Sequence, residues 1–407
     1  MPATLVVGLG VQREAMQRVS GHRSRSGAVI AAVVMVALSV RSWADDGVPG
    51  SAMVERLPAP DVVAEISEGL RLEEMPLLEL PEVASSGEWF SGGGWYGGAE
   101  VLFFDRSRID RRTVAEERNA VTGALVDTFT TTPIPFDLAP GARITIGDWL
   151  DRDHLDRDRS LELVYYGGFS FFQRDSRNAL PGDVIITPLD PTSPYFVGTA
   201  TETTHHTLFN SLEGNFRLGR RLGRDQLVMS PNGTWTRRAP RGFLPAFLIG
   251  TRVVNLNDSF TLTTAAADRA GDYAVDAQNW LWGLNVGAEL VSRNEFFFWG
   301  LRGRATPSMN FAATQQTATG FAPAEPPLNQ AGSATRYAAG FVGDLSLFAG
   351  WQVTPRFAIK AGWDFLWVAG IATAPRQFNL DNTRSDPIDP GGQLFLNGLA
   401  LGCEGRW

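Results

Sequence analysis

Apolar and polar residues alternate with a period of two in three long runs near the C-terminus, Thr335–Val353, Arg356–Ile371 and Gln393–Trp407. In the second run, Lys360 and Asp364 lie on the face opposite a continuous series of aromatic and aliphatic residues. Such alternation predicts strands with one apolar and one polar face. The runs are longer than usual soluble strands, and long strands with aromatic ends are typical of a transmembrane β-barrel.

The same pattern recurs upstream and predicts an all-β chain that folds as an antiparallel up-and-down barrel of about ten strands. The predicted strands are Trp95–Arg106, Gly141–Leu150, Leu161–Arg174, Thr204–Leu218, Phe243–Asn257, Asn279–Ser292, Glu295–Thr306, Thr335–Val353, Arg356–Ile371 and Gln393–Trp407.

The lengths of the connections support this topology. Connections after odd-numbered strands are long, about 21 to 34 residues, whereas most of those after even-numbered strands are short. Long outer loops that alternate with short periplasmic turns are the barrel pattern, and an even strand count places both mature termini in the periplasm. The exception is Gly219–Gly242, which is either an insertion or a hidden hairpin around Gln226–Trp235 that would raise the count to twelve.

Aromatic residues are spaced as the two girdles of a membrane barrel require. Tyr337 and Trp351 share a face and would stand roughly 33 Å apart along the membrane normal, and Phe357 and Trp367 roughly 23 Å apart. These distances bracket an apolar band of about 25 Å. Trp407 ends a strand whose apolar positions recur at every second residue, a pattern that predicts recognition by the barrel-assembly machinery.

The N-terminus predicts export. Met1–Ala44 has the order of a cleaved signal peptide: a basic region, a short apolar core and a small-x-small site. Asp45–Gly94 carries eleven acidic residues, two arginines and several prolines, and is predicted to be a mostly flexible periplasmic extension. The barrel is assigned to 95–407. An exported chain with barrel strands and no apolar helical span indicates the bacterial outer membrane, with its lipid as a partner.

Charge and cysteine content exclude other classes. The net charge is −8, and removal of the signal segment, with five arginines and one acid, takes it to about −12. This acidity argues against nucleic acid as a partner. The single cysteine, Cys403, cannot form an internal disulfide, and no spacing predicts a metal or a cofactor. The oligomeric state is not indicated.

Both signs of charge occur at positions predicted to face the lumen. In a barrel of eight to twelve strands, side chains usually fill the interior. The charged residues therefore either form an ionic network that fills the lumen or line a narrow selective pore that includes Arg302, Arg304, Glu289 and Asp364. The lumen-facing candidates are Glu289, Arg302, Arg304, Asp344, Lys360, Asp364, Glu404 and Arg406.

Candidate chemistry is sparse. His205 and His206 at a strand start and His154 in a turn are the possible catalytic bases, but the sequence marks no nucleophile, so no catalytic residue is assigned and no enzymatic activity is expected. The acidic turn Asp151–Arg159 lacks the glycine and the terminal glutamate of a calcium loop. An outer-membrane hydrolase remains a remote alternative.

Several short motifs resemble the beta-barrel porin-7 family of bacterial outer-membrane proteins. They are WYGGAEVLFF (Trp95–Phe104), GARITIGDWLD (Gly141–Asp151), LEGNFR (Leu212–Arg217), NWLWGLNVGAEL (Asn279–Leu290), AGWDFLWVAGIATAPRQF (Ala361–Phe378) and the closing GLALGCEGRW. The resemblance implies an outer-membrane barrel. The chain departs from the family at Gly362-Trp363 and at Ala374-Pro375-Arg376. From the strand pattern and the charged inner face, the predicted function is that of a narrow porin-like barrel for passive passage of small solutes. The alternative is a non-conducting surface barrel whose outer loops serve adhesion or envelope structure.

Overall fold

The computed structural model describes residues 94–107, 111–131, 135–155, 157–187, 194–220, 226–229, 233, 235–238, 241–294, 296–354, 356–378 and 388–407. The predicted signal peptide and all but the last residue of the predicted acidic extension lie outside the described residues. No helix among the described residues is long and apolar enough to cross a membrane.

Ten antiparallel strands form a closed barrel, which confirms the predicted fold class. Numbered in chain order among all strands of the described chain, they are β1 (Gly94–Arg106), β4 (Ala139–Arg152), β5 (Asp158–Asn178), β8 (Ala200–Gly219), β11 (Gly242–Ala265), β12 (Ala270–Arg293), β13 (Phe297–Phe321), β14 (Leu328–Thr354), β15 (Phe357–Ile371) and β16 (Gly392–Arg406).

The first and last strands of the wall pair with each other, so the barrel has no free edge. In this seam Ala99 pairs with Cys403, and the backbone groups of Trp95 and Trp407 exchange hydrogen bonds of 3.1 and 3.0 Å. Gly398 permits the close approach, because a Cβ atom there would lie 1.9 Å from the backbone oxygen of Phe103. Closure satisfies every strand edge, as a bilayer requires.

Two of the predicted outer loops are largely strand. The connection between β11 and β12 shrinks to residues 266–269, and that between β13 and β14 to residues 322–327. The polarity of the alternation inverts in these extensions: Phe260 and Leu262 are buried inside, while Thr261 and Thr263 face outward. Beyond the lipid, the outer face meets water and the inner face becomes the apolar core, so a search for apolar outward positions ends too early.

A small sheet of four strands covers the loop end of the barrel. Its strands are β2 (Thr113–Asn119), β3 (Leu125–Thr130), β6 (Asp183–Ile186) and β7 (Val197–Gly198), in the order β3-β2-β6-β7. We call this sheet the cap. Phe196 lies in the 3-10 turn Pro194–Phe196, directly before β7. It packs with Val114 of the cap and with Phe260 and Tyr273 of the wall in one apolar cluster.

The long connection at the turn end contains a hairpin that is not part of the wall. Strands β9 (Gln226–Met229) and β10 (Trp235–Arg238) pair with each other in a separate two-stranded sheet. The wall therefore has ten strands and not twelve.

The acidic turn between β4 and β5 is held by Asp153. Its Oδ1 atom accepts hydrogen bonds from the backbone N–H groups of Leu155 and Arg157, both at 2.9 Å, and its Oδ2 lies 2.6 Å from the Arg157 guanidinium. These hydrogen bonds, the Arg157 side-chain bond above all, lower the pKa of Asp153 to about 2. The carboxylate is thus committed to the turn itself.

Large apolar side chains cover the outside of the wall. The predicted girdle residues Tyr337, Trp351, Phe357, Trp367 and Trp407 are 40–72% exposed on this surface. Between the two aromatic levels the outward residues are mainly Leu, Ile, Val, Phe and Trp. A soluble protein rarely exposes so large an apolar surface, whereas a bilayer covers one, so this is a membrane-spanning barrel.

Candidate functional site: the barrel lumen

The eight predicted lumen-facing residues lie on the inner face of the wall or at its turn-end mouth. Glu289, Arg304 and Asp364 are buried, and Arg302, Asp344, Lys360, Glu404 and Arg406 are partly buried. Six of them join six further charged residues in three four-membered groups, which we call quartets, and each quartet contains two acids and two bases.

The first quartet is a closed ring of Glu213, Arg252, Asp344 and Arg304. Arg252 lies 2.7 Å from Asp344 and 3.3 Å from Glu213. Arg304 lies 2.7 Å from each of the same two carboxylates. Since Arg252 is on β11 and Asp344 is on β14, the ring ties together strands that are not neighbours in the wall.

The second quartet joins the seam side of the barrel. Arg143 lies 2.6 Å from Glu100 and 2.8 Å from Asp364, and Lys360 lies 3.0 Å from Glu100. The Arg143 guanidinium also stacks 4.8 Å from the ring centre of Tyr166. A guanidinium with two carboxylates and an aromatic face is held in one orientation.

The third quartet lies nearest the turn end. Arg217 and Arg302 both contact Glu289, at 2.7 and 2.5 Å, and Arg217 lies 3.8 Å from Glu162. The Tyr96 hydroxyl donates a 2.6 Å hydrogen bond to Glu162. The four members of this quartet and Tyr96 line the cavity at the turn end.

The twelve charges of the three quartets balance, with six acids and six bases. Buried charges are tolerated when each is paired and hydrogen-bonded, and loss of one partner leaves the other exposed to a large desolvation penalty. The quartets therefore form a charge-balanced layer of paired side chains inside the barrel.

A layer of apolar side chains lies on the loop side of the quartets. Phe104 and Phe169 stack with ring centres 4.8 Å apart. The Phe169 ring also packs against Gly141, where a Cβ atom would lie only 2.3 Å from the ring. All members of the layer are almost fully buried, including Leu102, Tyr166, Phe209, Val254, Leu256, Leu281, Val342, Leu366 and Val368. These side chains pack against one another inside the barrel and form a second layer next to the charged one.

Strand geometry separates the two candidate histidines. His205 points inward, is 1% exposed and lies 3.0 Å from Asp258, which also contacts Arg106 at 3.3 Å. Asp258 accepts a 2.8 Å hydrogen bond from the backbone of Ala374 and so holds the 3-10 turn Ala374–Gln377 inside the barrel. His206 points outward, because adjacent strand residues face opposite sides.

The larger cavity in the lumen opens at the turn end. It has a volume of about 140 Å³ and is lined by residues that include Tyr96, Trp149, Arg217, Arg406 and Glu404. A second pocket beside Arg143 and Lys360 has a volume of about 10 Å³, barely room for one water molecule.

Six of the twelve quartet residues are not among the predicted lumen-facing candidates. Arg143, Glu213 and Arg217 lie at inward positions of predicted strands, so the alternation alone could have found them. Their partners could not be read in the same way, because pairing across the lumen depends on the stagger between strands. Within the part of the chain that the structure describes, no group of three His, Cys, Asp or Glu side chains is placed to hold a metal ion.

Several solved outer-membrane proteins match this chain at low similarity. The outer membrane protease OmpT from Escherichia coli is 12% identical, with a TM-score of 0.32, over 77% of this chain and 97% of that one. The attachment invasion locus protein Ail of Yersinia pestis is 9% identical, with a TM-score of 0.19, over 77% and 99%. A Pseudomonas aeruginosa FadL homologue is 8% identical, with a TM-score of 0.22, over 77% and 90%.

These scores are too low to relate this chain to any of the three proteins. No family model matches the chain, and no curated protein matches it. Its assignment to the barrel fold rests on its own strand pairing.

Proposed function

We propose that this chain is a bacterial outer-membrane barrel with a closed lumen, which acts at the cell surface through its cap and extended outer strands. The observation that carries the proposal is a pair of side-chain layers inside the barrel: paired charges and, on their loop side, packed apolar residues. A role in adhesion or envelope structure needs no conducting path.

The narrow-pore alternative requires free charged side chains along a wet path. Its four lining candidates are instead engaged: Arg302 pairs with Glu289, Arg304 with Asp344 and Glu213, and Asp364 with Arg143. Passage of an ion would break these pairs and displace the apolar side chains above them. Either step costs several kcal/mol.

The same proposal includes the protein's location in the outer membrane, its export through a signal peptide and its membership of a barrel family. The exposed apolar belt with its two aromatic girdles supports insertion in the outer-membrane bilayer, and β16 supports recognition by the barrel-assembly machinery. A cleaved signal peptide, periplasmic termini and kinship with the beta-barrel porin-7 family are consistent with this arrangement.

Electrical recording from the purified barrel in planar phospholipid bilayers tests the closed lumen. We expect no resolved conductance steps, because side chains close the interior of a barrel with this number of strands. A general porin reconstituted in parallel shows that the bilayers report open channels. Insertion is verified by the change in gel mobility of the reconstituted protein on boiling. Reproducible conductance steps from the inserted protein would contradict the proposal and favour the narrow pore.

A further inference from the structure

Ser170 and His206 are paired on the outer face of the barrel. The Ser170 hydroxyl lies 2.9 Å from Nε2 of His206, within the range of a nucleophile and its general base. Ser170 is exposed and His206 is partly buried. The sequence did not indicate this pair, because the two residues are 36 positions apart and meet only through the pairing of β5 with β8.

The pair sits at the loop-side rim of the apolar belt. Along the outward face of β11 the residues change from Ile249 and Val253 to Asn255, and Asn255 pairs with Asn210 on β8. His206 lies on β8 four residues beyond Asn210, toward the cap, and Ser170 is opposite Leu208, halfway between them. In a bilayer, this level is the boundary between acyl chains and headgroups, where the ester bonds of lipids lie.

Apolar side chains flank the pair on the same outward face. Phe172, which is 43% exposed, meets the His206 ring edge-on with ring centres 6.4 Å apart. Leu208 lies between His206 and Asn210 on the lipid side. An acyl chain that extends from an ester at Ser170 would thus run along the apolar belt.

The side-chain amide of Asn210 is held in a fixed orientation near Ser170. β5 has a bulge at Gly167 and Gly168, and Gly168 has a φ of +81°, a conformation that favours glycine. The Oδ1 atom of Asn210 accepts hydrogen bonds from the Gly168 N–H (3.0 Å) and the Tyr165 hydroxyl (2.8 Å). These two donors identify the oxygen of the amide and leave its Nδ2 group as a donor. Asn210 is diagonal to Ser170 in the register, where a donor could stabilise an oxyanion.

We propose that Ser170 and His206 form the nucleophile and general base of an acyl-ester hydrolase site that acts on glycerophospholipids at the outer rim of the barrel. Asn210 is the oxyanion donor. The site lies on the outer wall, so it does not depend on whether the lumen conducts.

The reaction proceeds in two acyl-transfer steps. Ser170 Oγ attacks the ester carbonyl carbon while His206 Nε2 takes the hydroxyl proton; the carbon–oxygen bond to glycerol then breaks, and the glycerol oxygen takes that proton. The acyl chain is left as an ester on Ser170. A water molecule, deprotonated by His206, attacks this ester and releases the fatty acid, which restores the serine hydroxyl and the neutral imidazole.

Fatty-acid release from vesicles of dioleoylphosphatidylcholine that carry the full-length barrel tests the site. We expect release by the natural protein, and a loss of roughly 100- to 10,000-fold in Ser170→Ala and His206→Gln. Ser176→Ala, on the same outward face of β5 and away from the histidine, is expected to keep the full rate. The change in gel mobility on boiling verifies that each variant is folded.

Covalent labelling gives a second readout that does not need turnover. A long-chain alkyl fluorophosphonate should modify Ser170 in the natural protein and in Ser176→Ala, but not in folded Ser170→Ala or His206→Gln. Absence of both lipid hydrolysis and labelling in the inserted natural protein would overturn the proposal, as would a full rate in Ser170→Ala.

Discussion

Replacement of Glu213 with leucine is expected to destabilise the folded barrel by about 3–5 kcal/mol. The Glu213 side chain is 0% exposed, and its carboxylate faces both Arg252 and Arg304. Removal of one carboxylate leaves two buried guanidinium groups with only Asp344 between them. The measurement is the free energy of unfolding in urea of the barrel in phospholipid vesicles, followed by tryptophan fluorescence.

Two further variants separate charge balance from other effects of the substitution. In Glu213→Leu combined with Arg304→Met, one acid and one base are removed together and the Arg252–Asp344 pair remains, so we expect most of the stability to return. Glu202→Gln removes a solvent-exposed pair with Arg174 and is expected to leave the free energy of unfolding nearly unchanged. Equal losses in the single and the double variant would contradict a charge-balanced ring.

Replacement of Leu345 with arginine is expected to cost about 2–4 kcal/mol in the free energy of unfolding from vesicles. Leu345 is 42% exposed on the outer wall, between the girdle residues Tyr337 and Trp351 of the same strand. An arginine there would place a charge near the centre of the hydrocarbon layer. The measurement is the urea midpoint, together with the fraction of protein that inserts.

Thr335→Arg is the matched control for this substitution. Thr335 faces outward on the same strand, two residues beyond Tyr337 and outside the girdle, so an arginine there would remain in water. We expect its effect to be within about 0.5 kcal/mol. A normal midpoint and normal insertion for Leu345→Arg would show that this face does not contact lipid.

The ten wall strands could be predicted because lipid imposes the alternation. Runs such as Phe357–Trp367 have outward residues that must be apolar, and closure of β1 on β16 follows from the need to leave no free edge. The extensions of β11 to β14 were not predicted, because the alternation inverts above the membrane. There the apolar residues, such as Phe260 and Tyr273, face inward and the polar ones face water. The cap was not predicted, because its strands, such as β7 with two residues, are too short to show an alternation of apolar and polar residues.

The sequence predicts which charged residues face the lumen, but not which of them pair with one another. Parity indicated that Arg304 and Asp344 face the lumen, but no pattern in the sequence indicates that Arg252 reaches Asp344 three strands away. The same limit applies to Ser170 and His206, whose meeting depends on the register of β5 with β8 and on the bulge at Gly167 and Gly168.

Thiol accessibility inside the apolar layer is the most direct test of a closed lumen. In a Cys403→Ser background, a single cysteine is introduced by Val254→Cys, at a position that is 1% exposed inside the barrel. A membrane-impermeant maleimide is then added to both sides of vesicles that carry the protein. Val121→Cys, at a cap position that is 92% exposed, is the positive control. We predict rapid labelling of the control and none at position 254 until the barrel is unfolded; labelling of the folded protein at 254 at a rate close to that of the control would contradict a filled lumen.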